Sequence, residues 1–158
     1  MNQEAVELVA LCKEKGLTIG SVESMSAGAF GSAICAVPGA SSVYVGGVIS
    51  YTARIKEKLI GVSEELINEK GVVSKEVALS MAYHGHETLG CDICVSVTGN
   101  AGPTAEAGKA EVGEVYIGVY GPLGNNVACN KYQGERNAIR QAAVEDMIRL
   151  ALLEAKKS

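Results

Sequence analysis

Glu23-Ser24-Met25-Ser26-Ala27-Gly28 brings a carboxylate, two hydroxyls and a glycine together where an apolar run gives way to small residues. Leu17 to Val22 reads as a short strand and Ala27 to Val37 as the following helix, so the set stands at a strand-to-helix junction. A helix start carries unpaired N–H groups and partial positive charge, which suits an anion or a developing oxyanion. A serine placed there can cap the helix, hold an anion or act as a nucleophile. Two more stretches join hydroxyl or charged side chains at strand ends: Tyr51 to Lys56, and Thr98 to Pro103. Sites in open α/β sheets gather at the carboxyl ends of strands. Neither histidine falls where a Ser-His dyad would need it, so a nucleophilic Ser24 takes its base from Lys56 or Tyr51. A lysine can do this only if burial or a nearby cation lowers its pKa toward neutrality. Arg136, near the start of the last helix, has the geometry to hold a phosphate.

The elements that must position these groups are marked by periodicity and caps. Residues 2–15 have helical spacing and stop at Gly16. Ser42 to Thr52 is β-branched and aromatic, with Gly46-Gly47 as a bulge or hairpin. Short helices follow over Arg54 to Ile60 and from Ser63 to about Glu69, and a longer one opens at Ser74 and ends at Gly90. Asp92 to Thr98 is a buried strand, Gly99 to Gly108 a loop, and Val112 to Tyr120 and Val127 to Tyr132 are strands around the turn Gly121 to Asn126. Glu135 to Lys157 is a long helix. Strands and helices interleave without a regular βαβ repeat, and the late strands read as antiparallel. The expected architecture is α/β, a three-layer α/β/α sandwich with a mixed sheet, formed as a single domain over residues 1–158.

Composition narrows the function. Hydrophobic residues make up 47% and charged residues 20% of 158, ordinary for a folded domain with a real core. A net charge of −4 offers no basic face, so nucleic acid and anionic membranes are not expected partners. No apolar run approaches the ~20 residues that span a bilayer. Met1-Asn2-Gln3-Glu4 lacks the basic and apolar regions of a signal peptide, so a cytoplasmic location is expected. Five cysteines without regular spacing do not make a disulfide framework. Cys91-Asp92-Ile93-Cys94 leads straight into a strand, where positions three apart face opposite sides and do not converge on a metal. His84 and His86, two apart on a helix, point in different directions. No metal and no cofactor is expected.

Taken together, Glu23 to Gly28, Tyr51 with Lys56-x-x-x-Ile60-Gly61-Val62, Gly71 to Ser74, Val95 to Pro103 and Val112-Gly113 resemble the CinA C-terminal domain family. That competence/damage-inducible family includes nicotinamide mononucleotide deamidases. The resemblance runs in order from about residue 3 to 155. It implies an α/β/α fold and metal-free hydrolysis of the carboxamide of nicotinamide mononucleotide, giving nicotinate mononucleotide and ammonia. The small-molecule partner it implies is therefore a nucleotide, and a homo-oligomer is expected. By position in the motifs, Ser24 is the nucleophile, favoured over Ser26, with Lys56 relaying its proton and Tyr51 hydrogen-bonding nearby. N–H groups around Ser26, Ala27 and Gly28 would hold the oxyanion, and Thr98, Gly99, Asn100, Gly102 and Arg136 would hold ribose and phosphate.

Several positions depart from the family pattern. Ala27 stands where the first of two glycines is usual, Thr98 replaces a serine, and Asn100 replaces a small or apolar residue. Thr104-Ala105-Glu106 replaces a pattern similar to Asp-Gly-Gly, and Ala110-Glu111 replaces a Lys-Pro. A lost cation and an added carboxylate would disfavour a phosphate-bearing substrate unless Lys109 compensates. The alternative reading is a catalytically silent member that binds a nucleotide or a protein partner. Retention of Ser24, Tyr51 and Lys56 together favours the enzyme.

Overall fold

The computed structural model describes all 158 residues. Five strands form one sheet in the order β2-β1-β3-β4-β5: β1 (Ile19–Glu23), β2 (Tyr44–Ile49), β3 (Ile93–Gly99), β4 (Glu114–Gly121) and β5 (Gly124–Lys131). β1 lies parallel to both β2 and β3, whereas β4 and β5 return antiparallel, so the sheet is mixed as the sequence implies. Helices α1 (Gln3–Lys15), α2 (Ala29–Cys35) and α6 (Arg136–Lys157) cover one face. Helices α4 (Glu64–Lys70) and α5 (Lys75–Leu89) cover the other. α3 (Ala53–Ile55) runs directly into a π turn over Lys56–Ile60.

Alternation along the strands decides the layers. Ile93, Val95, Val97, Val115, Ile117 and Val119 face α6 in the larger core, with Phe30, Ile139 and Met147. Val22 and Cys94 face α5 in a smaller core with Val77 and Met81. α5 lies close to the sheet because Gly85 has no side chain; a methyl there would overlap Val22 and Cys94. Caps fix the helix ends. Asn2, Ser63 and Ser74 accept backbone N–H bonds at three helix starts, and Gly16 and Gly90 take left-handed conformations at two ends.

Three local expectations change. The helix after β1 begins at Ala29 rather than Ala27, because Ala27 (φ 50°) and Gly28 (φ 95°) are left-handed and cannot extend it. Of the two alternatives at Gly46-Gly47, the bulge stands and the hairpin does not: Ile19 pairs with Tyr44 and Gly20 with Gly46 in a parallel edge strand, leaving Val45 as the extra residue. Cys91 and Cys94 do converge. Thr18 and Asp92 clip the chain ahead of β3, leaving Cys91 off the strand, so both thiols turn into the core under α5 and interact. The hairpin between β4 and β5 is also tighter than the sequence spacing implies, with Gly121 pairing directly with Gly124.

Candidate active site

β1, β2 and β3 are parallel neighbours, and the chain leaves β1 toward one face and β2 toward the other. A crevice at such a divergence is where α/β sheets place their ligands. Glu23, the last residue of β1, is 2% exposed and turns its carboxylate onto the start of α2. Oε1 accepts from Ser26 Oγ (2.6 Å) and from the N–H groups of Gly28 (3.1 Å) and Phe30 (3.0 Å), while Oε2 accepts from Gly31 N–H (3.1 Å). The positive end of the helix is thus neutralised from within the chain. The Gly28 N–H is already bonded, and Ser26, fully buried, has its hydroxyl committed to Glu23.

Ser24 is arranged differently. Its Oγ accepts from Lys56 Nζ at 2.9 Å and makes a long bond of 3.4 Å to the Tyr51 carbonyl. Lys56 is 1% exposed, and its ammonium also donates to the carbonyls of Ser50 (2.7 Å) and Tyr51 (3.3 Å). All three of its donors are satisfied, yet no carboxylate pairs with it. Burial therefore pushes the amine down from 10.5 to about 8. The π turn that begins at Lys56 breaks the regular helix at this point, and such turns recur at functional sites. A serine hydroxyl in contact with a buried amine of this kind has the parts of a nucleophile–base pair.

The other residues singled out from sequence have distinct placements. The Tyr51 ring is exposed and its hydroxyl accepts from Arg136 (3.2 Å); what meets Ser24 and Lys56 is the Tyr51 main-chain carbonyl. Arg136 also donates to the Gly102 carbonyl and so links the β3–β4 loop to the end of β2. Thr98 is buried, and its hydroxyl donates to Val72 O (2.9 Å), away from Ser24. Asn100 donates to the carbonyls of Thr104 and Ala110 and accepts from Gly102 N–H, so its side chain holds the loop together. The loop carboxylates are paired with lysines, Glu106 with Lys109 (2.9 Å) and Glu111 with Lys131. Gly99 packs against Val115 and Glu114 with no room for a side chain. A cavity of about 1170 Å³ opens beside the site, lined by Ala53, Val72, Ser74, Gly99, Asn100 and Lys109 among others. Ser24 and Lys56 lie outside that lining.

Two participants were not found from sequence. Arg140, on α6, donates to the carbonyls of Met25 (2.8 Å) and Ser26 (3.2 Å). Its contacts lie more than 110 residues away, and only its place one turn after Arg136 hints at the role. Ser50, wholly buried, carries its carbonyl to Lys56, while its own hydroxyl has no partner.

The fold and the site define an α/β/α domain with a buried serine–lysine pair at the carboxyl ends of parallel strands. The profile of the CinA C-terminal domain matches residues 1–155, and the chain belongs to that family. It is 39% identical to a CinA-like protein of Kosmotoga olearia, covering 97% of this chain and 38% of that protein. It is 37% identical to a CinA-like protein of Geobacter sulfurreducens, covering 92% and 36%. The chain thus spans about a third of the length of the curated relatives it matches. Among solved structures, the competence/damage inducible protein CihA from Agrobacterium tumefaciens is 28% identical with a TM-score of 0.86, covering 95% of this chain and 94% of that one. A CinA superfamily protein from Klebsiella pneumoniae shares the fold over the whole of both chains, with a TM-score of 0.95 at 19% identity. No helix is long and apolar enough to cross a membrane.

Proposed function

We propose that this chain is an amidohydrolase that converts nicotinamide mononucleotide to nicotinate mononucleotide and ammonia. The observation that carries the reading is the 2.9 Å contact between Ser24 Oγ and a buried Lys56 amine lowered to about 8. About a tenth of such amines are neutral at pH 7. The neutral amine takes the Ser24 proton as Oγ attacks the carboxamide carbon. It then passes that proton to the departing nitrogen, the C–N bond breaks, and ammonia leaves an acyl-serine. Water, deprotonated by the same amine, attacks the acyl-serine and releases the acid and Ser24.

Ser24 is preferred to Ser26 because the Ser26 hydroxyl is held by Glu23. The Tyr51 carbonyl fixes both members of the pair, and the Tyr51 phenol supports Arg136 at the rim. Arg136 and the Gly99–Gly102 segment border the space for ribose and phosphate. The nucleotide identity of the substrate rests on the family resemblance, and the pairing of Glu106 and Glu111 with lysines favours it by removing free negative charge from the loop. The test is ammonia release from nicotinamide mononucleotide by the purified chain beside Ser24→Ala. Turnover that is lost in the variant supports the reading. Absence of turnover in the wild type, or its survival in the variant, overturns it.

A further inference from the structure

We propose that Arg140 is a positioning residue for hydrolysis at Ser24, gripping the carbonyls of Met25 and Ser26 so that the Ser26 N–H is aimed at the oxyanion. The inference rests on the reading of Ser24 as nucleophile. In a trans peptide the C=O and the N–H of one plane point in opposite directions. Arg140 Nε holds the Met25 carbonyl at 2.8 Å, so the Ser26 N–H in the same plane points away from that guanidinium. The next peptide shows which side this is. Its Ser26 carbonyl is held by Arg140 at 3.2 Å, and its Ala27 N–H turns the other way and donates to the Ser24 carbonyl at 3.1 Å. The side opposite Arg140 is therefore the side of the Ser24 main-chain carbonyl, and the Ser26 N–H opens toward it.

The donors at this turn divide cleanly. Ala27 and Ala29 N–H are bonded to main-chain carbonyls, and Gly28, Phe30 and Gly31 N–H to Glu23. Met25 and Ser26 N–H have no acceptor within the chain. Free N–H groups one and two residues after a nucleophile are what an oxyanion requires. Arg140 is not placed to bind substrate directly, because Nε and both terminal nitrogens are engaged, the third with Asn137 Oδ1 (3.1 Å). A lysine could reach one of the two carbonyls but not fork across both.

The experiment compares Arg140→Gln and Arg140→Lys with wild type in two assays. One is ammonia release from nicotinamide mononucleotide. The other is the rate at which a fluorophosphonate labels Ser24, in which Oγ bonds to phosphorus, fluoride leaves and the serine proton passes to Lys56. Arg140→Gln should lose about 100-fold in both kcat and labelling rate, with KM unchanged, and Arg140→Lys should recover part of the loss. Rates within about threefold of wild type overturn the proposal, as does a raised KM at constant kcat, which marks a ligand contact. If the wild type is labelled but releases no ammonia, the substrate reading fails and the labelling rates alone decide the role of Arg140. If it is not labelled at Ser24, both fall. Should Arg140→Gln not fold, Arg140→Lys carries the test, and an unchanged labelling rate overturns the proposal.

Discussion

Two charged side chains are buried at the ends of adjacent strands, and they are treated in opposite ways. Glu23, ending β1, receives one hydroxyl and three backbone N–H groups from the start of α2. Lys56, just beyond β2, receives only neutral oxygens, and burial draws its amine down to about 8. Hydrogen bonds to a charged group contribute ~1.5–3 kcal/mol each, so the four at Glu23 tie the start of α2 firmly to the end of β1. The fall of the Lys56 amine from 10.5 to about 8 corresponds to ~3 kcal/mol against the charged form. One buried charge fixes the scaffold, and the other is kept ready to lose its proton. Ser24 stands between them, its turn anchored by the first and its hydroxyl touched by the second.

The sharpest way to break this contrast is Lys56→Met. Turnover should fall by ~1000-fold or more as the base is lost, a figure within the usual range for general acid–base groups. In the wild type, kcat should climb about tenfold per pH unit below 8 and level off above it, as the amine becomes neutral. Stability should also separate the two proteins. The folded amine loses its proton near 8 and the unfolded amine near 10.5, so between those values the unfolded chain binds more protons. Wild-type stability should therefore rise by ~3 kcal/mol relative to Lys56→Met from pH 8 to 10.5, with the burial penalty fully present below 8. Chemical denaturation across that range reads the slope, and parallel curves would show that Lys56 is not the source.

Glu23→Gln tests the other half. The amide keeps one acceptor but turns a donor toward a buried N–H, so a loss of ~2–3 kcal/mol is expected in urea unfolding. An unchanged midpoint would remove Glu23 as the anchor. The smallest effect is at Ala27, whose φ of 50° is a region alanine enters at a cost. Ala27→Gly should relieve that strain, partly offset by the greater freedom of glycine in the unfolded chain, for a net gain of ~0.5 kcal/mol. A lower melting temperature would show that the methyl contributes packing there.

What the sequence made legible follows from range. Helix ends were readable because Asn2, Ser63, Ser74, Gly16 and Gly90 act within a few residues of themselves. The Ser24 motif was readable because a strand-to-helix turn is local. Its pairing with Lys56 spans 32 residues and depends on β1 lying beside β2, so residue chemistry alone leaves both Lys56 and Tyr51 as candidates. Side-chain direction was the least legible. Thr98, Asn100 and the Tyr51 phenol lie at the strand ends the sequence marks, yet their polar atoms serve Val72, the 100–110 loop and Arg136. The convergence of Cys91 with Cys94 was missed because the Thr18–Asp92 clip that bends the chain joins positions 74 residues apart.

The grip of Arg140 on the Ser24 turn has a consequence for the timing of synthesis. Met25 leaves the ribosome 115 residues ahead of the arginine that holds its carbonyl. At ~5–20 residues per second, that interval lasts about 6–23 s. Throughout it, the nascent chain carries Ser24 without the arginine that holds the turn after it, so that turn takes its final shape only once α6 has been made and docked.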